Sequence, residues 1–509
     1  MRITITRWLV PVLLLLTGCS LFRPTASHQE AATIAILHIN DVYEISPLEN
    51  GTVGGMARVA TLRRQLETQY PNRSFAVLSG DFLSPSVMGT VKLDGERVRG
   101  AQMVDAMNQA GITWVTFGNH EFDIPEADLQ KRINESRFTW IAGNVRHQTA
   151  AGPVPFARAE GGREVPFQPW IIQEVPLPDG QLFRLGIIAV CLPFNKAPYV
   201  HYEDVFASAA AHYDLLKGQT DAVVAITHLN YADDSLLALR VPGLALIMGG
   251  HDHTQMFHRV GQVPIAKADA NAKTAWIHRL QYNTRSKTVA IASELVPVDA
   301  SVPMEPETQT VVGSWESRAY QAFKDQGFVL DETVTLLSVP LDGLEAHIRT
   351  SQTNLGAALT DAMLVASPDA ALAVINSGSV RIDDYLQGKV TQFDLIRALP
   401  FGGRVLKVDM QGDLLKLLLD TGAANTGSGG YLQLGRVTRK GDTWVIGGAA
   451  LDPARVYRVA ITDFLMTGGE KNMGFLLPSH PGVRQVIEPG AADLNRDIRM
   501  VLAEYLKSR

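Results

Sequence analysis

Several features that often decide a fold or a partner are scarce in this chain. Cysteine occurs only twice in 509 residues, at Cys19 and Cys191, so no disulfide framework is available to hold a small scaffold together. Acidic residues outnumber basic ones and the net charge is −6. Without a Lys/Arg stripe, binding to a nucleic-acid polymer is not expected. A strongly anionic substrate must therefore meet positive charge supplied locally, by metal ions or arginines. Long apolar runs are missing too: the N-terminal WLVPVLLLL is too short to span a bilayer and is interrupted by Pro11. No internal repeat or low-complexity segment is found. Cys191, inside GIIAVCL, reads as a buried strand residue rather than a nucleophile.

What is present is length and alternation. A chain of 509 residues exceeds one hydrophobic core, so two large domains are expected. From Thr33 to about Val298, apolar β-rich runs alternate with helical stretches such as GGMARVATLRRQLETQ, RGAQMVDAMNQAG and ASAAAHYDLLKG. That alternation predicts an α/β domain over 34–300 with a largely parallel sheet. TAWIHRLQYNTRSKTVAIASEL reads as a hairpin near its end. Residues 301–332 begin Pro-rich and read as a linker with a connecting helix. Residues 333–509, with scattered strands and a Gly-rich TGAANTGSGGYLQL, read as a second, α+β domain.

Five apolar runs in the first domain each end in a polar cluster: ILHINDVYE, FAVLSGDF, VTFGNHEFD, VVAITHLN and LALIMGGHDH. They place Asp41, Asp81, Asn119, His120, Asp123, His228, His251 and His253 just beyond five predicted strands. Open α/β sheets collect ligands at the carboxyl ends of their strands. Carboxylates, imidazoles and one amide form a donor set for a pair of divalent ions, and the N/O mixture suits Zn, Mn, Co or Fe better than Ca. In HDH an extended backbone would point the rings of His251 and His253 the same way. They could then address two ions about 3.5–4 Å apart. Asp81 is the carboxylate expected to be shared.

The N-terminal run ends in Leu16-Thr17-Gly18-Cys19, with Arg2 and Arg7 near its start. This resembles the lipobox of bacterial lipoproteins. The resemblance implies a signal peptide over 1–18, lipidation of Cys19, and a tether over the remainder of 19–33. Attachment to the membrane through acyl chains follows. The expected location is the cell envelope, facing the periplasm or the exterior. Ser20 after the Cys points to the outer membrane.

Taken together, ILHINDVY, SGDFLSPS, FGNHEFD, THL and GGHDHT resemble the calcineurin-type metallophosphoesterases, and specifically the bacterial and animal 5′-nucleotidase family. The resemblance implies a four-layer αββα metallophosphoesterase domain followed by a 5′-nucleotidase C-terminal domain. It assigns Asp41 and His253 to one metal, Asn119, His228 and His251 to the other, and Asp81 to both. Where the family has Asp-x-His, this chain has Asp41-Val42-Tyr43, which makes Tyr43 an additional candidate ligand or a hydrogen-bond donor. The reaction implied is phosphate-ester hydrolysis by a metal-bridging hydroxide. His120 would stabilise the phosphoryl group or protonate the leaving group, and Asp123 would orient its ring.

In the second domain the resemblance gives Arg349 and Arg381 to phosphate, with Asn376 nearby. Tyr431 and Phe464 would sandwich a base, and Glu470 would hold ribose hydroxyls in place of the family's usual acid. Arginine forks and aromatic faces suit those tasks. The expected enzyme is a 5′-nucleotidase, monomeric, acting on extracytoplasmic nucleotides and extending to 2′,3′-cyclic nucleotides or UDP-sugars. Two other readings remain open: a phosphatase for non-nucleotide esters, and a catalytically weak nucleotide-binding lipoprotein.

Overall fold

The computed structural model describes residues 31–194 and 197–509. The leader, Cys19 and the first part of the tether lie outside the described residues. The first strand already begins at Ala31, inside the segment read as tether. Among the described residues no helix is long and apolar enough to cross a membrane.

All five cluster-bearing runs form strands, but they divide between two sheets. The first sheet has the order 288–297, 274–283, 31–39, 74–78, 114–115, 139–140. The second runs 170–176, 182–191, 222–228, 246–249, 263–267, 256–260. Each has a parallel centre and antiparallel strands at one or both edges. The largely parallel sheet read from alternation is in fact two mixed sheets packed face to face, the layering that the family resemblance implied. The expected hairpin forms from Thr274–Asn283 and Thr288–Pro297.

Strand alternation builds the layers. Ile34 and Ile36 meet Leu185, Ile187, Val224 and Ile226 between the sheets. Ala35, Leu37 and Ile39 face outward into the helices. The helix Met56–Gln69 buries Met56, Val59, Ala60, Leu62 and Leu66 along one face, at helical spacing. It stops at Tyr70, ahead of Pro71. Helices Val205–Leu216 and Tyr231–Arg240 cover the second sheet. The result is an αββα stack, and Cys191 is fully buried in one of its strands.

The connecting helix Pro306–Asp325 starts with Pro306 after a Glu305 cap that accepts the Thr308 N–H at 2.7 Å. It inserts Val312, Ala319 and Phe323 into the first domain's core and packs on Met56–Gln69 and Ala101–Ala110. The second domain centres on a five-stranded mixed sheet, ordered 432–435, 372–376, 456–462, 405–411, 483–487. Both of its faces are buried, one under Asn354–Ala366 and Ile498–Lys507, the other under Gly412–Ala424. This is the α+β fold expected there.

Candidate metal centre and substrate cleft

Asp41, Asp81 and His228 are fully buried and Asn119 nearly so. Asp81, His228 and His251 each bring one ligand atom within 4.8 Å of the others, and so do Asp41, Asp81 and His253. Asp81 belongs to both groups. His228 Nδ1–H donates to the Ser79 carbonyl at 2.8 Å, which fixes the tautomer and turns Nε2 towards Asp81 Oδ2, 3.0 Å away. Asn119 sits at the start of the short turn His120–Asp123.

The local backbone explains why these side chains converge. Asp41, Asp81, His251 and His253 have φ of 53°, 56°, 81° and 58°, in the left-handed region that Asp, Asn and His tolerate better than most residues. The extended geometry expected for His251-Asp252-His253 is therefore not what forms. A turn sends His251 to one group of donors and His253 to the other. Glycines make the space. A Cβ on Gly118 would lie 2.1 Å from Asp81 Oδ1, and one on Gly80 would lie 2.6 Å from His228 Nδ1.

Electrostatics favour cations at this point. Burial works against ionising Asp81, but the charges of His228 and His120 outweigh it and its pKa is lowered. Burial likewise opposes charge on His228, yet Asp81 lifts its pKa to about 9. Burial and His228 push His251 down to about 3. Asp41 Oδ1 and His228 Nε2 are buried without a well-formed hydrogen bond. Buried carboxylates facing imidazole nitrogens whose remaining lone pairs point inward fit divalent metal ions, which displace imidazole protons as they bind.

The expected Tyr43 lies in this centre. Its hydroxyl is 2.9 Å from His253 Nε2 and 3.4 Å from Asp81 Oδ2. Burial, then Asp81 and Asp41, hold its pKa well above the usual value. That environment disfavours the phenolate.

His120 and Asp123 meet as expected. His120 Nδ1–H donates to Asp123 Oδ2 at 2.6 Å, and the His120 backbone N–H donates to Asp81 Oδ1 at 2.7 Å. Burial lowers His120, but Asp123 and Asp81 override it and its pKa is raised. Arg381 Nη2 also reaches Asp123 Oδ2 at 3.2 Å. It lies 2.8 Å from His120 Nδ1; that nitrogen's single proton is committed to Asp123, so we assign Arg381's hydrogen bond to the carboxylate.

Several residues escaped the sequence reading. Glu121, inside the recognised FGNHEFD, accepts amide protons from Asp81 and Gly118 on one oxygen and from Phe82 and Leu83 on the other, at 2.6–3.0 Å. It ties the second and third strand-end loops together. Burial and the Asp81 charge push its pKa to about 7 against the Phe82, Leu83 and Gly118 donors. Lys267 is buried and donates to the Leu229 and Gly250 carbonyls at 2.5 and 2.8 Å, joining the loops that carry His228 and His251. Asp383, from the second domain, accepts from His253 Nδ1.

A cavity of about 550 Å³ opens over Asp81, His251 and His253 and is walled by Arg349 and Asp383 from the second domain. A second, of about 990 Å³, is lined by Asn376, Arg381, Phe401, Phe464 and Glu470. His120, Phe194, Arg349 and Gly427 line both. Arg349 is buried and paired with Glu345. Asn376 Nδ2 donates to Glu470 Oε2 at 2.7 Å. Tyr431 is not among the residues lining either cavity. Its N–H donates to Ser428 O and its carbonyl accepts from Ser377 N, so it closes the Gly-rich turn by backbone pairing. The exposed ring that lines the same cavity as Phe464 is instead Phe401, which is 62% exposed while Phe464 is 45% exposed. Its signal was available: a lone aromatic between proline and two glycines in LPFGG.

The sequence model of the calcineurin-like phosphoesterases matches residues 34–255, and that of the 5′-nucleotidase C-terminal domain matches residues 334–476. Human 5′-nucleotidase is 24% identical over 90% of this chain and 87% of its own length. The fold is similar to that of the 5′-nucleotidase precursor from Thermus thermophilus, with a TM-score of 0.69, 22% identity and coverage of 94% and 96% of the two chains. It is also similar to the sulfate thiohydrolase SoxB of a Thermus species, with a TM-score of 0.62, 17% identity and coverage of 93% and 94%. With both domain models matched in order along the chain, the protein belongs to the two-domain 5′-nucleotidase family, a calcineurin-like phosphoesterase domain followed by a 5′-nucleotidase C-terminal domain.

Proposed function

We propose that this chain is a metal-dependent 5′-nucleotidase in which the second domain selects a base-bearing phosphate ester and presents it to the first. The observation that carries this reading is the continuity of the cleft: His120 and Arg349 line both the cavity over the carboxylate–histidine cluster and the cavity bearing the exposed aromatic pair. Phosphoester hydrolysis as such is the activity of the family.

Asp41, Asp81, Asn119, His228, His251 and His253 would hold two divalent ions of the Zn, Mn, Co or Fe type. Such ions supply Lewis-acid charge for phosphoryl oxygens and a nucleophile from water near neutral pH. Arg349 and Arg381 bind the phosphate oxygens by their guanidinium forks. His120 keeps a proton available for the leaving oxygen because Asp123 stabilises its charged form. Phe401 and Phe464 offer π-faces to a base, and stacking tolerates any base. The Asn376–Glu470 pair, in the lining of the same cavity, would accept from sugar hydroxyls. UDP-sugars and 2′,3′-cyclic nucleotides present the same base and phosphate and belong within the proposal.

The domain division at 34–300, 301–332 and 333–509 is part of this reading. So are a monomeric state and attachment through Cys19 to the cell envelope. The test is phosphate release by the mature protein, stripped and reloaded with Mn²⁺, Zn²⁺ or Co²⁺. AMP, UDP-glucose and 2′,3′-cyclic AMP are compared with a sugar phosphate. Metal-dependent turnover preferring the base-bearing esters is expected; preference for the sugar phosphate overturns the nucleotide assignment.

A further inference from the structure

The two histidines that face Asp81 and Asp41 through Nε2 are steadied from different places. His228 donates its Nδ1–H to Ser79, a backbone carbonyl of the same domain. The corresponding partner of His253 is the side chain of Asp383, a residue 130 positions later in the second domain. With Nδ1–H committed to Asp383, the His253 Nε2 lone pair faces the centre, 3.3 Å from Asp41 Oδ1. The carboxylate is itself anchored: Asp383 has a φ of 40°, and its Oδ1 accepts the Glu345 N–H at 2.6 Å.

Asp383 also stands between two other cross-domain contacts. Arg381 reaches Asp123 at 3.2 Å. Asp384 pairs with Lys273 at 2.5 Å, beyond Asn271, whose N–H donates to the Asp41 carbonyl at 2.8 Å. One loop of the second domain thus touches the proton donor, a candidate ligand and the turn supporting a second candidate ligand.

We propose that Asp383 is a positioning residue supplied by the second domain, which orients His253 for metal binding and so makes one of the two ion sites complete only when the domains are closed. This rests on the metal-dependent reading above. A carboxylate or carbonyl on the far nitrogen of a ligating imidazole fixes its tautomer and direction, and losing it lowers metal affinity by about 10- to 100-fold. Linkage then works in both directions: closure strengthens that site, and filling that site favours closure.

The test is Mn²⁺ titration of the stripped full-length protein by calorimetry, with the radius of gyration followed by small-angle scattering. Wild type is expected to bind two ions and to contract on binding. Asp383→Asn should weaken one ion by about 10- to 100-fold, leave the other unchanged and abolish the contraction. Asp383→Glu should recover part of the lost affinity. Asp384→Asn breaks the neighbouring cross-domain pair without touching His253, and should cost far less affinity than Asp383→Asn at the same ion. Unaltered affinities in Asp383→Asn, or an equal loss in Asp384→Asn, overturn the proposal. Failure of the wild type to bind Mn²⁺ at all would instead defeat the metal-dependent reading on which it stands.

Discussion

The two lobes face one cleft with opposite constructions. The first presents buried carboxylates and imidazoles from five strand ends, held by backbone hydrogen bonds and by buried side chains such as Glu121 and Lys267. The second presents exposed aromatics beside largely buried arginines, from loops between its strands and helices. In the proposed function, chemistry that tolerates little displacement falls to the buried wall and substrate recognition to the more exposed one. A similar overall fold occurs in the sulfate thiohydrolase SoxB, so shape alone does not name the leaving group.

The comparison can be broken most severely at Asp81, the donor common to both metal groups. Asp81→Ala is expected to cut turnover by about 10³-fold or more, the scale of losing a group that acts on transition-state charge. Elemental analysis should show the mutant depleted of metal; a fully loaded, active mutant would falsify the shared-carboxylate role. His120→Ala tests chemistry without metal loss. Turnover should drop by about 10²- to 10⁴-fold, the usual worth of general acid–base catalysis, at unchanged metal content.

On the second lobe, Phe401→Ala with Phe464→Ala should raise KM for AMP about 10- to 100-fold, since a stacked base is worth ~1–3 kcal/mol. An aryl phosphate should be nearly indifferent to the same change. Tyr431→Ala should alter neither KM, and a large effect there would restore it as a wall of the base site.

An effect on stability rather than turnover concerns the first lobe's acid sensitivity. Burial holds His38 down at about 3, against its hydrogen bond to Gly249. The unfolded chain takes a proton near pH 6.5 that the folded ring refuses. The stabilisation is therefore complete above ~6.5 and is lost as pH falls towards about 3. His38→Gln should flatten that slope by an amount on the order of a few kcal/mol between pH 7 and 4. Urea midpoints at the two pH values measure it; an unchanged slope means that other groups govern acid unfolding.

Much of the first lobe was legible because its donors lie within short motifs directly after apolar runs. The split into two sheets was legible only through the family resemblance and its αββα layering, not through pattern: strands buried on both faces are continuously apolar, so pattern gives their existence but not their partners. Glu121 was hidden by its neighbours, since His120 and Asp123 already supplied roles for FGNHEFD. Asp383 was invisible because a loop residue 130 positions from His253 shows no periodicity and no spacing rule. Tyr431 and Phe401 both adjoin glycines. What separates them is that a strand starts immediately after Tyr431, at Leu432, while Phe401 stays on an exposed turn.

Asp41, Asp81, His251 and His253 all depart from ordinary right-handed backbone, and this has a practical corollary. Transplanting the six donor side chains onto a plain parallel scaffold would scatter them, since ordinary strand ends aim elsewhere. Whoever rebuilds the centre must copy its leftward bends together with the bare glycines opposite them, and β-branched replacements at those bends should be the least forgiving of all.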